Sequence, residues 1–357
     1  MNRSLQHSDG FTLVELLVGV ALGVLTVSAV LLFFVSNKQH FLAQLEASRL
    51  QENQRFVVQF LTRDIRGADY RGCAGSGGPL FNTLNDPDAL ENDFRTGIRG
   101  FDKVSEMLPE PLASAFAGTR RVPIAGTDVL VVRGPEGDAS GVRAENSSTQ
   151  VFAVVRSRET KACTGGTNRI NGICRGDYLL ISDCQKARIF QVGSIDGSGA
   201  ITHPAGGLVP GNSDGTWGGS AAPSQERFGT DAEIIRYGTF IYYLANNPGG
   251  EPALYRKASR GRTEELVEGV EDMQILYGEN SDADADGTPD RFVAALGVTD
   301  WDQVTAVRVW VLLRGFRDNM AEAEQRYPAL DGTIVTAPDK RLRKSLLLTI
   351  SLRNRLP

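Results

Sequence analysis

The sequence has few of the residues that most often perform catalysis or hold metals. It contains three histidines in 357 residues, and none stands near another. Its four cysteines form no CxxC pair, and it has neither an H-E-x-x-H motif nor a P-loop. These absences argue against zinc ribbons, thioredoxin-like redox centres, zinc proteases and P-loop nucleotide hydrolases. The sequence therefore predicts a protein that is not an enzyme.

A strong basic character is also missing. Lysine and arginine total 38, aspartate and glutamate total 43, and the net charge is -5. Nucleic-acid binding calls for a clustered basic face, so no direct nucleic-acid ligand is expected. His203 stands in the turn-like stretch THPAGG, which predicts an exposed loop position.

One hydrophobic run stands out at the N-terminus. Residues 11–35 read FTLVELLVGVALGVLTVSAVLLFFV, and Glu15 is their only charged residue. As a helix they would extend about 38 Å, enough to cross a hydrocarbon core of about 30 Å. A secretory signal peptide has a shorter apolar stretch followed by small residues at the cleavage site. A plain membrane anchor would explain the length of the run but not Glu15.

The stretch Gly10-Phe11-Thr12-Leu13-Val14-Glu15 resembles the class III signal of type IV pilins and pseudopilins. The resemblance implies cleavage between Gly10 and Phe11 by the prepilin peptidase, and N-methylation of the new Phe11 amine. It also implies a role for Glu15 in assembly, since its carboxylate could neutralise the terminal amine of a neighbouring subunit. An unpaired charge at membrane depth costs about 2.5 kcal/mol or more, so such pairing would be favourable.

The helix is expected to continue beyond the membrane to about residue 66, since no proline interrupts it and Gly67 is a plausible stop. The mostly polar stretch 46–55 is expected to face solvent. The predicted organisation is a leader (1–10), a transmembrane half-helix (11–35), an extracytoplasmic amphipathic half-helix (36–66) and a β-rich head (67–357). Gly19 and Gly23 form a GxxxG pair, which fits either close helix packing or ordinary small-residue usage.

The head contains runs of β-branched and aromatic residues separated by Gly-, Ser- and Pro-rich loops, whereas residues 67–126 predict loops and one short helix. The predicted strand runs are 127–134, 150–157, 177–183, 187–195, 232–245, 253–258, 273–278, 305–315 and 345–354. The predicted fold class is α+β and pilin-like, with a long N-terminal helix packed on a mainly antiparallel β head.

Several stretches, among them RFVVQFLTRDIRGADYRGC, GDYLLISDCQKARIFQV and LVEGVEDMQILYG, resemble the PilW group of type IV minor pilins. This resemblance implies a single-pass inner-membrane protein with a periplasmic head that enters the pilus. It implies a priming or tip complex with other minor pilins, contact with the major pilin, and a tip adhesin as a further partner. The alternatives are a J-type minor pseudopilin of type II secretion and a head that binds a ligand directly.

An acidic stretch in the head, SDADADGTPD, indicates a calcium loop. Asp282, Asp284 and Asp286 occupy alternate positions, Gly287 allows a sharp turn, and Asp290 stands where a water often mediates contact. The bidentate glutamate of a complete EF-hand is missing, because that position holds Val293. The expectation is either a looser Ca²⁺ site or a solvated acidic turn.

The even number of cysteines fits disulfides in an oxidising compartment. Four cysteines allow three pairings, and the sequence does not decide firmly among them. The short segment CTGGTNRINGIC favours Cys163 with Cys174, which leaves Cys73 with Cys184. Near the C-terminus, Arg341, Arg343 and Lys344 predict a solvated, charged strand edge.

Overall fold

The N-terminal part of the computed structural model is a single helix, α1 (Leu13–Gly67, 55 residues). The structure describes residues 12–75, 77–159, 163, 169–259, 263–282 and 286–356. Thr12 caps its first turn, and no proline occurs within it. Among the described residues it is the one helix long and apolar enough to cross a membrane. Its most apolar 18-residue window has a mean hydropathy of 2.7, and none of that window is buried.

After α1, most of the regular secondary structure in the described chain is strand. The exceptions are a short helix α2 (Leu112–Phe116) and single turns of 3₁₀ helix at Gly72–Ala74, Ser224–Glu226, Ala295–Gly297, Trp301–Gln303 and Arg353–Arg355. The strands are β1 (Leu80–Asn82), β2 (Ile98–Phe101), β3 (Val129–Pro135), β4 (Ser140–Ala144), β5 (Gln150–Ala153), β6 (Arg158–Glu159), β7 (Arg169–Ile170), β8 (Tyr178–Ser182), β9 (Ala187–Gln191), β10 (Ser194–Ile195), β11 (Ala200–Thr202), β12 (Glu233–Asn246), β13 (Pro252–Ala258), β14 (Thr263–Glu268), β15 (Val270–Glu279), β16 (Arg291–Val293), β17 (Val304–Arg314), β18 (Arg326–Pro328), β19 (Ile334–Thr336) and β20 (Arg343–Ser351).

The long strand β12 organises the larger sheet, which has twelve strands. Its first residues pair with β8 and β4, and its later residues pair with β3 and β13. Strands β2 and β14 extend the second part outward, while β1, β9, β5, β11 and β10 extend the first. Among the described strands β1 and β9 pair in parallel, and the other pairs are antiparallel. The predicted α+β class with a mainly antiparallel head is confirmed.

A second sheet of four antiparallel strands runs in the order β16-β15-β17-β20. Its inner face carries alternate apolar side chains from each strand, as the two-residue period of a strand requires. These side chains form one buried cluster with β3, β12 and the C-terminal half of α1, and the cluster includes Val57, Leu61, Ile65, Met273, Ile275, Val307, Val309 and Ile350. The small sheet and the helix therefore share one core with the larger sheet.

The nine predicted strand runs all contain strands, although the run 187–195 divides at Val192 and Gly193 into β9 and β10. The predicted short helix in residues 67–126 is α2. The same region also contains β1 and β2, which the sequence analysis assigned to loops. Strands β4, β6, β7, β11, β14, β16, β18 and β19 lie outside the predicted runs as well.

Candidate functional site

The N-terminal end of α1 carries the first candidate site. Glu15 stands in the first turn, and its Oε2 accepts hydrogen bonds from the backbone nitrogen of Thr12 (2.9 Å) and from its hydroxyl (3.0 Å). The Glu15 backbone nitrogen donates in return to the Thr12 hydroxyl (3.3 Å), which completes a capping box. Gly10 and Phe11 lie outside the described residues. The exposed Glu15 carboxylate is thus held at the positive end of the helix dipole, where an approaching cation could reach it.

The apolar half of α1 presents its side chains to the outside on every face. Large residues from Leu13 to Val35 are each more than half exposed. A Cβ atom added at Gly19 or Gly23 would meet nothing within 4 Å. A helix that is apolar all round needs lipid or other apolar helices around it. The GxxxG pair is therefore open to a neighbouring helix.

The second half of α1 is fixed to the head by polar contacts as well as by the core. Glu46 is fully buried, and its Oε2 accepts a hydrogen bond from the backbone nitrogen of Phe316 (3.0 Å). Its Oε1 lies 3.5 Å from guanidinium nitrogens of Arg49 and Arg317. Leu50 is buried as well. The expectation that residues 46–55 face solvent was therefore wrong at these positions, because the loop after β17 covers one side of the helix.

A second polar anchor lies near the C-terminal end of α1. The Tyr242 hydroxyl donates to the Asp64 carboxylate, and Arg256 Nη1 lies 3.0 Å from the same carboxylate oxygen. Burial, reinforced by the negative charge of Asp64, raises the pKa of the Tyr242 hydroxyl well above its usual value, so it remains a donor at all ordinary pH. Tyr242 itself is buried. The helix is thus joined to β12 and β13 by a donor and a cation that converge on one acid.

The acidic stretch forms a turn between β15 and β16. One carboxylate oxygen of Asp290 accepts hydrogen bonds from the backbone nitrogens of Ser281 (2.6 Å) and Asp282 (3.0 Å). These bonds, chiefly the one from Ser281, lower the pKa of Asp290. Asp286 is exposed and accepts from the backbone nitrogen of Thr288 (2.6 Å), while Asp284 lies outside the described residues. No metal-binding group is evident among the described residues, and the calcium loop stays a prediction.

Two disulfides join Cys73 to Cys184 and Cys163 to Cys174, which are the pairs favoured in the sequence analysis. The first spans 111 residues and fastens the segment after α1 to the turn between β8 and β9. The second spans 11 residues. The described part of the chain contains no free cysteine. An oxidising compartment fits both bonds.

His203 is fully buried, so the prediction of an exposed loop position was wrong. Its ring stacks on Trp217 with centroids 4.1 Å apart, and Arg188 lies over the same indole. Burial lowers the pKa of the imidazole to about 4. Within the described part of the chain neither ring nitrogen has a hydrogen-bond partner.

The nearby stretch GNSDG (211–215) has G-x-S-x-G spacing, but the Ser213 hydroxyl donates to the Thr83 carbonyl (3.1 Å), and no serine–histidine pair forms.

The basic run before β20 is only partly solvated. Lys344 is exposed, whereas Arg343 is buried and pairs with Glu271 (2.6 Å) and with Asp339. Arg341 is half-buried and lies 3.5 Å from Glu251. The prediction of a wholly solvated edge was therefore wrong for Arg343. Its charge is compensated by Asp339, four residues earlier, and by Glu271 on β15, which the local sequence does not show.

One comparison with known proteins gives a match. Residues 241–354 are similar to the family described as type IV pilus-assembly protein W. The match covers the last six residues of β12, all of β13 and β14, all of the small sheet and the hairpin of β18 and β19. No curated protein and no solved structure matches the chain. The match supports a protein related to type IV pilus assembly, and the apolar helix is consistent with it.

Proposed function

We propose that the chain is a minor pilin that contributes to type IV pilus assembly and performs no catalysis. The observation that carries this proposal is one unbroken helix with two different halves. Its first half is exposed and apolar around Glu15, and its second half is buried in a head whose residues 241–354 are similar to a pilus-assembly family. Such a helix can pass from lipid into a bundle of like helices without exposing backbone polar groups.

In this proposal the prepilin peptidase cleaves between Gly10 and Phe11, and the new Phe11 amine is methylated. The positive amine then enters a stack of apolar helices, where the exposed Glu15 carboxylate of a neighbouring subunit pairs with it. Each charge left unpaired at the bilayer centre would cost about 2.5–3.5 kcal/mol on insertion scales. The pairing offsets much of this cost and sets the axial stagger of adjacent subunits.

The proposed location is the inner membrane, with one transmembrane helix, a periplasmic head and entry into the pilus on assembly. The two disulfides fit an oxidising periplasm. The proposed partners are other minor pilins in a priming or tip complex, the major pilin and a tip adhesin. A J-type pseudopilin of type II secretion could use the same helix, but the pilus-assembly match supports the first assignment.

The test uses cells with an active prepilin peptidase. Mass spectrometry of the full chain should find a methylated terminus at Phe11. Glu15→Ala should remain in the membrane, yet surface pili should fall at least tenfold, while Glu15→Asp should restore part of this loss. Glu52→Ala, which removes an exposed carboxylate from the same helix, is the matched control. A retained leader, or normal piliation of Glu15→Ala, would overturn the proposal.

Loss of protein secretion with normal piliation would instead favour the pseudopilin. A deletion strain distinguishes the two machines, because one filament forms at the cell surface and the other drives export. Complementation of the deletion strain with the Glu15→Ala chain then tests whether the Glu15 carboxylate is needed for whichever process, piliation or protein secretion, the deletion abolishes.

A further inference from the structure

The head has two adjoining clefts that the proposed assembly role does not use. The first, called here the aspartate cleft, has a volume of about 560 Å³ and lies at the outer face of β15 and β17. The second, called the methionine cleft, has a volume of about 460 Å³ and is lined by the outer segment of β2 and the turn at Ala295. Asp102 and Lys103 line both clefts, so the two form one continuous surface.

The aspartate cleft has an excess of negative charge. Its walls contain four aspartates and one lysine: Asp102, Asp128, Asp272, Asp331 and Lys103. Within the described part of the chain, none of the four carboxylates forms a salt bridge with a cationic side chain. They accept neutral donors instead. Asp128 accepts from the backbone nitrogens of Lys103 and Ile275 (both 2.7 Å), and Asp331 accepts from the Thr333 hydroxyl (2.7 Å).

Apolar groups line the same cleft, including Leu276, Trp310 and Leu330. The Trp310 side chain is held in place by a hydrogen bond from its Nε1 to the carbonyl of Pro328 (3.1 Å). An apolar passage with carboxylates around it matches a lysine or arginine side chain, which has an aliphatic stem and a charged end. A free metal ion would not use the apolar walls.

The methionine cleft supplies a separate observation. Met107 is 86% exposed and Leu296 is 94% exposed, and they are the two most exposed large apolar side chains among the described residues. Both line this one cleft. Large exposed apolar groups gathered at one place mark interaction sites, whereas single scattered ones do not.

An unsatisfied polar group lies directly behind the wall of the methionine cleft. The Tyr277 hydroxyl is fully buried and has no hydrogen-bond partner in the described part of the chain. It packs so tightly against Gly100, which lines the cleft, that a Cβ atom there would lie 2.0 Å from it. Any side chain at position 100 would disturb this wall.

We infer that this double cleft binds a segment of a different protein in which a lysine or arginine lies next to a large apolar side chain. The basic side chain enters the aspartate cleft, and the apolar side chain packs between Met107 and Leu296. Charge complementarity favours this occupant, because the cleft offers three accessible carboxylates, with the buried Asp128 behind them, against one ammonium. The inference concerns the head alone and holds independently of how the helix assembles.

The test uses the full chain in its own cells, with a photo-crosslinking amino acid at position 107 or at position 296. The same group at Val209, which is 84% exposed on another part of the head, is the control. Adducts are expected at 107 and 296 well above the level at 209. Mass spectrometry of the adduct should place the attachment in a different protein, within about three residues of a lysine or arginine.

The double variant Asp272→Asn/Asp331→Asn should lower the yield of the position-296 adduct at least fivefold, because it removes two charges of the cleft. Asp196→Asn/Asp214→Asn changes the net charge equally at remote turns and should leave the yield unchanged. Thermal melting of both chains checks that they fold. If the double variant does not fold, Asp331→Asn alone, at the hairpin of β18 and β19, should lower the yield two- to threefold.

Four results would overturn the inference. They are adducts no stronger than at Val209, attachment to a second copy of this chain, attachment to a segment without a basic residue, and an adduct yield that does not respond to the loss of the cleft aspartates.

Discussion

The Oε2 atom of Glu46 lies 3.0 Å from the backbone nitrogen of Phe316, and this hydrogen bond joins the long helix to the loop that follows β17. The acid is fully buried, and its two neighbouring arginines are about half exposed. The charge of Glu46 is therefore compensated from the solvent side while its hydrogen bond points into the head.

The first prediction concerns this contact. Glu46→Ala should lower the free energy of unfolding by about 1–3 kcal/mol, because it leaves a buried N–H without an acceptor and removes the partner of Arg317. The detergent-solubilised full chain can be followed by denaturant titration. Glu52→Ala on the exposed face is the matched control and should change stability by less than about 0.5 kcal/mol. Equal stability of the Glu46 and Glu52 variants would contradict the prediction.

The two disulfides should contribute unequally to the free energy of unfolding. In the chain-entropy picture, removal of the 111-residue link between Cys73 and Cys184 costs about 5 kcal/mol, and removal of the 11-residue link costs about 3 kcal/mol. Paired serine substitutions, one pair at a time, measure the two costs by denaturant titration. A larger loss for the Cys163–Cys174 pair would show that native contacts outweigh loop length.

A third prediction follows from Asp128. Burial raises the pKa of this carboxyl to about 6, although two backbone N–H groups act in the opposite direction. Asp102 and Asp272 add to the effect by their negative charge. Because the folded-state pKa lies above the unfolded value, the folded state binds the proton more tightly. The stabilisation of the folded state by the protonated Asp128 carboxyl is complete below about pH 4 and is lost as the pH rises through about 6.

The measurement is the free energy of unfolding from pH 4 to pH 7 for the wild-type chain and for Asp128→Asn. The wild type should lose up to about 2 kcal/mol more than the variant over this range. Comparison with the variant removes the contributions of other acids, which titrate in both chains. Parallel pH profiles for the two proteins would rule out a raised pKa at Asp128.

The fourth prediction tests the acidic turn. A calcium loop predicts that millimolar Ca²⁺ raises the melting temperature of the full chain, and that Asp282→Asn/Asp286→Asn abolishes this rise. Asp196→Asn/Asp214→Asn is again the control of equal charge. If calorimetry shows no heat and melting shows no shift at millimolar Ca²⁺, the stretch is an acidic turn held by Asp290.

The helix and the six longest strands could be predicted from the sequence because their signals are local. Long β12 and β17 are rich in aromatic and β-branched residues, and the apolar run of α1 has no breaker. Strand β14, TEELVE, was missed because its first residues are charged and exposed, and it forms only through pairing with β13. Strand β2, IRGF, contains a glycine that weakens any local preference for a strand.

The candidate sites also divide into those with a local sequence signal and those formed by contacts between separate segments. Glu15 is recognisable because a carboxylate inside an apolar run has no ordinary explanation. The burial of Glu46, His203 and Arg343 depends on segments far away in the chain, namely Phe316, Trp217 and Glu271. No local pattern shows such contacts. The double cleft likewise joins β2, β15 and the turn between β18 and β19, so it becomes visible only when these segments are brought together.

The unbroken course of α1 has a mechanical consequence. Only about ten residues separate Val35, the end of the apolar run, from Glu46, the first residue of the helix that is buried against the head. Because the helix is continuous, a rotation of its apolar half about the helix axis rotates the head by the same angle. Each residue added in between would swing the head by about 100° and lift it by about 1.5 Å. The direction in which the double cleft points therefore depends on which side of the apolar half of α1 contacts neighbouring helices.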